Sequence, residues 1–384
     1  MNADTPTIDL ARALVRAPSP SGTEGPAAQV LLGAFHRLGF DRAWLDEAGN
    51  VIGVFERGEG PTVMLNGHLD TVPIGDASLW PHPPLDGEIA DGRLWGRGAS
   101  DMKGSLACMT VAAAAAAEHG FDGTLAVTGV VQEEVGGLGA RWLGETSSPD
   151  VIVLGEPSKL SLKLGHRGRV EVDVHLPGKI AHAAKPELGE NALYRASRWL
   201  ALLEELELPS GGPLNGSTAT PTRLVSHPSD GSNVVPGEAV ITVDYRNLPS
   251  DPPDDVVARL KALDPGATLV ISEENAASES GTVRLTFPRV NPAYLAPGEN
   301  RWTNRAREAL REILPRHGVA FEEGTWWFAT DAPFLAESGA VVVGFGPGEE
   351  ELAHTTRESV RLDALEIATE VYRDLALALL AEAS

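Results

Sequence analysis

Four short stretches limit what this chain can become: "TVMLNG" (62–67), "TLAVTGVV" (124–131), "DVIVLG" (150–155) and "AVVVGFG" (340–346). Each is apolar nearly throughout, whereas a strand with one wet face would alternate apolar with polar residues. Runs of this kind suit strands covered on both faces. Helix-spaced segments flank or separate them, among them "DLARALVRA", "PAAQVLLGAFHRLGF" and the alanine-rich "DMKGSLACMTVAAAAAAEHG". Strands alternating with helices predict an α/β fold built on a largely parallel sheet.

A different texture starts near Lys163. "LKLGHRGRVEVDVHLPG" alternates as a strand with one solvated face, and "ENALYRASRWLALLEEL" is helical. "TPTRLVSH", "AVITVDYRNLP", the helix "DPPDDVVARLKAL" and "TVRLTF" follow. The order β-α-β-β-α-β is that of a ferredoxin-like α+β unit. After it, a long helix, the run "AVVVGFG" and a last helix return to the first texture. The expected organisation is therefore a discontinuous domain, 1–163 with 290–384, carrying an inserted domain at 164–289.

Charge and cysteine content narrow the partners. A formal net charge of -23 over 384 residues leaves no basic face for nucleic acid or an anionic membrane surface, and a small-molecule partner is expected. No apolar run approaches the roughly 20 residues of a membrane helix. The single cysteine, Cys108, cannot form an internal disulfide, and the start lacks a basic segment followed by an apolar core, so a cytoplasmic location is expected.

The ends of the apolar runs carry the chemistry. Ligands of open α/β sheets collect outside the carboxyl ends of the strands. There the first run delivers His68, the second Glu133 and Glu134, the third Glu156, and the fourth leads through a loop to His354, while Asp101 stands at the start of the alanine-rich helix. Singly, each has an ordinary reading as a solvated strand-end residue or a helix cap. Together, two imidazoles and several carboxylates without a thiolate suit zinc or another first-row divalent ion. His68 and Asp70, two apart in an extended chain, share a face, so Asp70 can orient the imidazole. Adjacent Glu133 and Glu134 would point to opposite sides of an extended segment, so one should meet metal and the other water and substrate. Asp101 has two oxygens and can bridge two ions about 3.5 to 4 Å apart.

These residues sit in motifs that resemble the M20 metallopeptidases, a family that includes acetylornithine deacetylase, succinyl-diaminopimelate desuccinylase, aminoacylase-1 and glutamate carboxypeptidase. The resemblance runs through "GHLDTVP", "WPHPPLDGEIADGRLWGRGASDMKG", "QEEVGG", "LGEPS", "GKIAHAAKPELGENAL", "SNVVPGEAVITVDYR" and "FGPGEEELAH" in the family's order. It implies a zinc-peptidase-like catalytic domain with an inserted lid and dimerisation domain. It further implies two divalent ions, zinc expected and cobalt or manganese as alternatives. His68, Asp101 and Glu156 would hold one, and His354, Asp101 and Glu134 the other. Glu133 becomes the general base, with Asp70 supporting the site, and the Asp101-Met102 peptide is expected to be cis. The resemblance also makes His182 an oxyanion donor reaching the partner's site in a homodimer, and sets Asn233 and Arg246 near the polar end of the substrate. No ligand of the pattern is missing.

The expected reaction is two-metal amide hydrolysis of an N-acyl amino acid, in the manner of acetylornithine deacetylase. "FATDAPFLAESGAVVVGFGPG" resembles that enzyme's corresponding region. A dipeptidase, a carboxypeptidase or a desuccinylase is the alternative, and a metal-dependent binding protein without turnover ranks behind both, since a binder has no need of Glu133. Cys108 reads as a core packer. Trp326 and Trp327 are open between packing and pocket lining. "GGLGARW" lacks the last glycine and the acidic ribose binder of a dinucleotide loop.

Overall fold

The computed structural model describes residues 5–381. Its central sheet has nine strands, and the four apolar runs form its parallel core. In sheet order these are Gly123–Val130, Thr62–His68, Val151–Leu154 and Val341–Gly344. Both faces are covered, as continuous apolarity requires. Val63, Leu65, Val127, Val153 and Val343 face a layer that includes the helices Pro6–Arg16, Gly25–Arg37, Gly104–His119, Arg301–Ile313 and Leu362–Leu380. Met64, Ala126, Ile152 and Val342 face the other way, toward Leu138–Thr146 and Ala332–Ala336.

Chain order fixes where the sheet opens. From Thr62–His68 the chain crosses to its neighbour Gly123–Val130, then returns to the opposite neighbour, Val151–Leu154. Such a reversal leaves a crevice at the strand ends. Register brings those ends level, with His68 opposite Val130 and Leu154 opposite Gly344. The Asn-Gly pair before His68 also has a packing reason: Asn66 donates to Thr128 Oγ1 on the next strand, and a Cβ on Gly67 would lie 2.4 Å from Met102 Cε.

The insert builds a separate antiparallel sheet ordered Thr218–His227, Glu238–Arg246, Arg169–Pro177 and Thr268–Val270, with Val290–Asn291 also pairing on the third of these. Two helices, Ala192–Glu204 and Pro253–Ala262, share one apolar cluster with its alternate residues Val170, Val172, Ile241 and Tyr245. The opposite face keeps Arg169, Glu171, Asp244 and Arg246. Two segments lie elsewhere than the sequence pattern placed them. "LKLGH" (162–166) pairs in the central sheet, because its Leu162 and Leu164 are buried in the main core. "TVRLTF" is not the last strand of the insert. It forms a hairpin, Glu273–Ala277 with Arg284–Pro288, whose Val283 and Leu285 pack on the main core. No helix among the described residues is long and apolar enough to cross a membrane.

Candidate metal centre

The strand-end residues converge. His68 is buried and presents Nδ1 to the Asp70 backbone carbonyl at 3.0 Å. With Nδ1 donating there, Nε2 is free to face the cleft, 3.1 Å from Asp101 Oδ1 and 3.9 Å from Glu156 Oε1. The other Asp101 oxygen lies 3.3 Å from His354 Nε2, which is also 2.9 Å from Glu134 Oε2. One carboxylate thus spans both imidazoles. Ligand atoms of His68, Glu133 and Glu156 fall within 4.8 Å of one another, as do those of His68, Asp101 and Glu134.

Glu133 and Glu134 do not sit in an extended segment. They open a single 3₁₀ turn, Glu133–Val135, entered through Gln132 in the left-handed region at φ 59°. The turn lets both carboxylates look into the same cleft, which an extended chain would have forbidden. Asp70 also does more than its spacing from His68 suggested. Its Oδ1 lies 3.5 Å from His68 Nδ1, farther than that nitrogen's carbonyl partner. The carboxylate instead accepts the backbone N–H groups of Glu133 at 3.0 Å and Glu134 at 3.1 Å, and the Ser21 hydroxyl at 2.7 Å.

Two further buried carboxylates that the sequence reading did not single out hold neighbouring backbone. Glu24 Oε1 accepts from Gln132 N and Gly22 N. Glu358 Oε1 accepts from Ser100 N and Asp101 N while Oε2 pairs with Arg97 at 2.5 Å. The Asp101-Met102 peptide held there is cis, as the resemblance implied. Asp331 is a third omission: it precedes the helix Ala332–Ala336 without capping it, and its Oδ2 is buried with no hydrogen-bond partner. Glu24 and Asp331 both look like ordinary helix caps in sequence, and only long-range contacts reveal otherwise.

The electrostatics of the cluster favour bound cations. Burial pushes Glu133 and Glu156 well above the usual carboxylate range, helped by their negative neighbours, and raises Asp331 to about 7. Burial would lower His68, but its hydrogen bonds to Asp101 and Asp70 carry it well above its ordinary value. Hydrogen bonds to Asp101 and Glu134 lift His354 to about 10. Burial would raise Asp101, yet the two imidazoles hold it below the normal range. Carboxylates this crowded and this dry need positive charge beyond two imidazoles. Two imidazoles with oxygen donors fit first-row divalent ions.

The centre opens into a cleft of about 370 Å³ whose lining includes Glu133, Glu134, Phe287, Phe334, Arg169, Arg246 and Arg289. Arg246 is thus in the same cleft as the metal-side carboxylates. Its fork is partly engaged: Nε and Nη2 bond Asp244 at 2.6 and 3.2 Å. His182 and Asn233 are not part of this cleft. His182 is exposed on the short ribbon Ala181–His182 with Val234–Val235, where its Nδ1 accepts from Ala184 N, and Asn233 offers its carbonyl to Ala183 N beside it. Trp326 packs beneath the site and donates to the Pro157 carbonyl, while Trp327 is exposed. Cys108 is buried in the core, its thiol pushed up to about 12 by that burial.

Comparison with known proteins identifies the family and the fold. Residues 64–378 match the sequence model of peptidase family M20/M25/M40. The chain is 30% identical over 383 residues to the uncharacterized protein YgeY of Escherichia coli K12, covering 96% of this chain and 93% of that one. Among solved structures it superposes on the aminopeptidase PepT of Bacillus cereus with a TM-score of 0.76 at 22% identity, covering 97% of this chain and 98% of that one. An M20 metallo-carboxypeptidase of Sulfolobus solfataricus gives 0.75 at 16% identity, covering 98% and 100%. YxeP of Bacillus subtilis, described as a dinuclear metal-binding M20 peptidase, gives 0.70 at 16%, covering 97% of each chain.

Proposed function

The chain belongs to peptidase family M20/M25/M40 and is a hydrolase of amide or peptide bonds, and on that premise we propose that it cleaves a small N-acyl amino acid with the help of two divalent ions. The observation that carries this reading is Asp101, whose two oxygens face two different imidazoles at 3.1 and 3.3 Å. His68, Asp101 and Glu156 would hold one ion, and His354, Asp101 and Glu134 the other, with zinc expected and cobalt or manganese as alternatives. Bound there, the pair supplies Lewis-acid polarisation of the scissile carbonyl and acidification of water.

The chain's own groups perform the remaining work. Glu133, whose carboxylate lies within 4.8 Å of the His68 and Glu156 ligand atoms, takes the proton of the attacking water and returns it to the departing amine. Arg246 offers its unengaged guanidinium edge to the free carboxylate of the substrate. Glu274, on the hairpin side of the cleft, is an acidic group that a cationic side chain would share with Arg289, 3.7 Å away. N-acetylornithine is therefore placed first, which would assign the protein to arginine biosynthesis. A cleft of this size also admits a dipeptide, so a dipeptidase or carboxypeptidase is the second reading and a desuccinylase the third.

The insert gives a reason for a homodimer. The edge of Thr218–His227 away from Glu238–Arg246 has no partner among the described residues, and the adjacent helix exposes Leu193, Tyr194 and Leu202. In a dimer joined along that edge, His182 would serve the partner's cleft. The test is a turnover screen of purified protein with added zinc, cobalt or manganese. N-acetylornithine, N-acetyl-lysine, N-succinyl-diaminopimelate, N-acetyl-methionine and several dipeptides form the panel. Cleavage of an acyl amino acid that is abolished by a chelator and restored by metal is expected. Full turnover by protein shown to be metal-free would sink the proposal.

A further inference from the structure

We propose that Glu24 and Gln132 are positioning residues that aim the Glu133 carboxylate, with the hairpin Glu273–Pro288 as their outer anchor. The inference rests on the assignment of Glu133 as base. Three consecutive backbone N–H groups, those of Gln132, Glu133 and Glu134, each end on a buried carboxylate: the first on Glu24, the other two on Asp70. Asp70 belongs to the His68 strand end, but Glu24 comes from the start of the helix Gly25–Arg37, where its side chain makes no capping bond. It lies 2% exposed and shares one oxygen between Gly22 N at 2.7 Å and Gln132 N at 3.2 Å.

Gln132 explains why such a brace is needed. A non-glycine residue at φ 59° is held in a sparsely populated conformation and persists only where its surroundings over-determine it. Its backbone is held by Glu24, and its side-chain amide donates to the Ala277 carbonyl of the hairpin at 2.8 Å. The hairpin is fixed in turn by Glu279, which accepts from Gly25 N at 3.0 Å. A closed circuit therefore runs from Glu24 through Gln132 and the hairpin back to the residue after Glu24. Loosening it would swing Glu133, whereas His68, Asp101 and Glu156 lie on other segments and Glu134 stays tied through its N–H to Asp70 and its carboxylate to His354.

Catalysis is steeply sensitive to such placement, about 10²-fold per ångström. With N-acetylornithine, or the fastest substrate of the panel above, Glu24→Ala should lower kcat by about 10- to 100-fold. KM should stay within about twofold, with metal content per chain by elemental analysis and the thermal midpoint near native. Glu24→Gln, which keeps an acceptor oxygen, should recover most of the loss. If Glu24→Ala does not fold, Gln132→Met carries the test, since it removes only the donor to Ala277 and should show the same kcat-selective loss. Unchanged kcat, a fall in metal content parallel to the fall in kcat, or Glu24→Gln as poor as Glu24→Ala would overturn the proposal. Glu133→Gln is run alongside: if it retains turnover, the base assignment has failed rather than the bracing.

Discussion

The two sheets of this protein are built by opposite rules. In the parallel core of the central sheet the strands are apolar on both faces, so charged residues gather at the strand ends, where buried carboxylates tie down the backbone around them. In the insert one face is wet. Its polar residues form an open ladder from Arg246 through Asp244 and Arg169 to Glu171 and Arg289. The first arrangement fixes a reaction centre before anything binds. The second presents adaptable charge whose use depends on what approaches it. Residues of the centre should thus fail in chemistry or metal content, and residues of the insert in substrate handling or assembly.

The largest expected effect lies within the centre and separates neighbours. Glu133→Gln keeps size and removes the proposed base, so kcat should fall by at least ~10² to 10⁴ with metal content near native. Glu134→Gln removes the negative charge and one of the two oxygens beside His354 and should deplete metal instead. Equal metal loss in both variants would erase the distinction between base and ligand.

A second test crosses from one sheet to the other. His182 is exposed and does not line its own cleft, and the role proposed for it lies in the site of a two-fold partner. Loss of an oxyanion donor is worth about 10² to 10³ in kcat, and His182→Ala should be nearly inactive, as should Glu133→Ala. When the two variants exchange subunits at random, half the dimers are mixed and each mixed dimer has one complete site, so about one quarter of native activity should return. Mixed dimers verified by mass but still inactive would mean that His182 acts within its own chain or not at all.

The same contrast explains what the sequence made legible. The buried strands and the residues at their ends could be read because continuous apolarity and abrupt polarity are local signals. The insert's order of elements was readable from its alternation. What escaped was whatever depends on distant backbone. Glu24 and Glu358 act on chain far away in sequence, Asp331 is set apart only by its burial without a partner, and nothing in their own neighbourhoods marks them. The sequence implies an extended segment at Glu133–Val135, because Gln132 is a residue that ordinarily avoids the positive φ it adopts here. The hairpin carrying "TVRLTF" was assigned to the insert because strand propensity does not say which core a strand will cover.

The smallest expected effect belongs to Arg246, and its size follows from how the guanidinium is already used. Asp244 engages Nε and Nη2, leaving one edge for a substrate carboxylate. A lysine in this position has a single ammonium, which cannot hold Asp244 and a substrate carboxylate in the same planar geometry. Losing one charge-assisted hydrogen bond is worth about 1.5 to 3 kcal/mol, or roughly 10- to 100-fold. Arg246→Lys should therefore lower kcat/KM by that amount, mainly through KM, with metal content and the thermal midpoint unchanged. The methyl amide of the best substrate should be equally poor for the native enzyme and the variant, because the carboxylate that distinguishes them is gone. If native protein turns over an acid and its methyl amide at the same rate, Arg246 does not clamp the substrate, and the ladder on the wet face serves only to hold the insert's strands together.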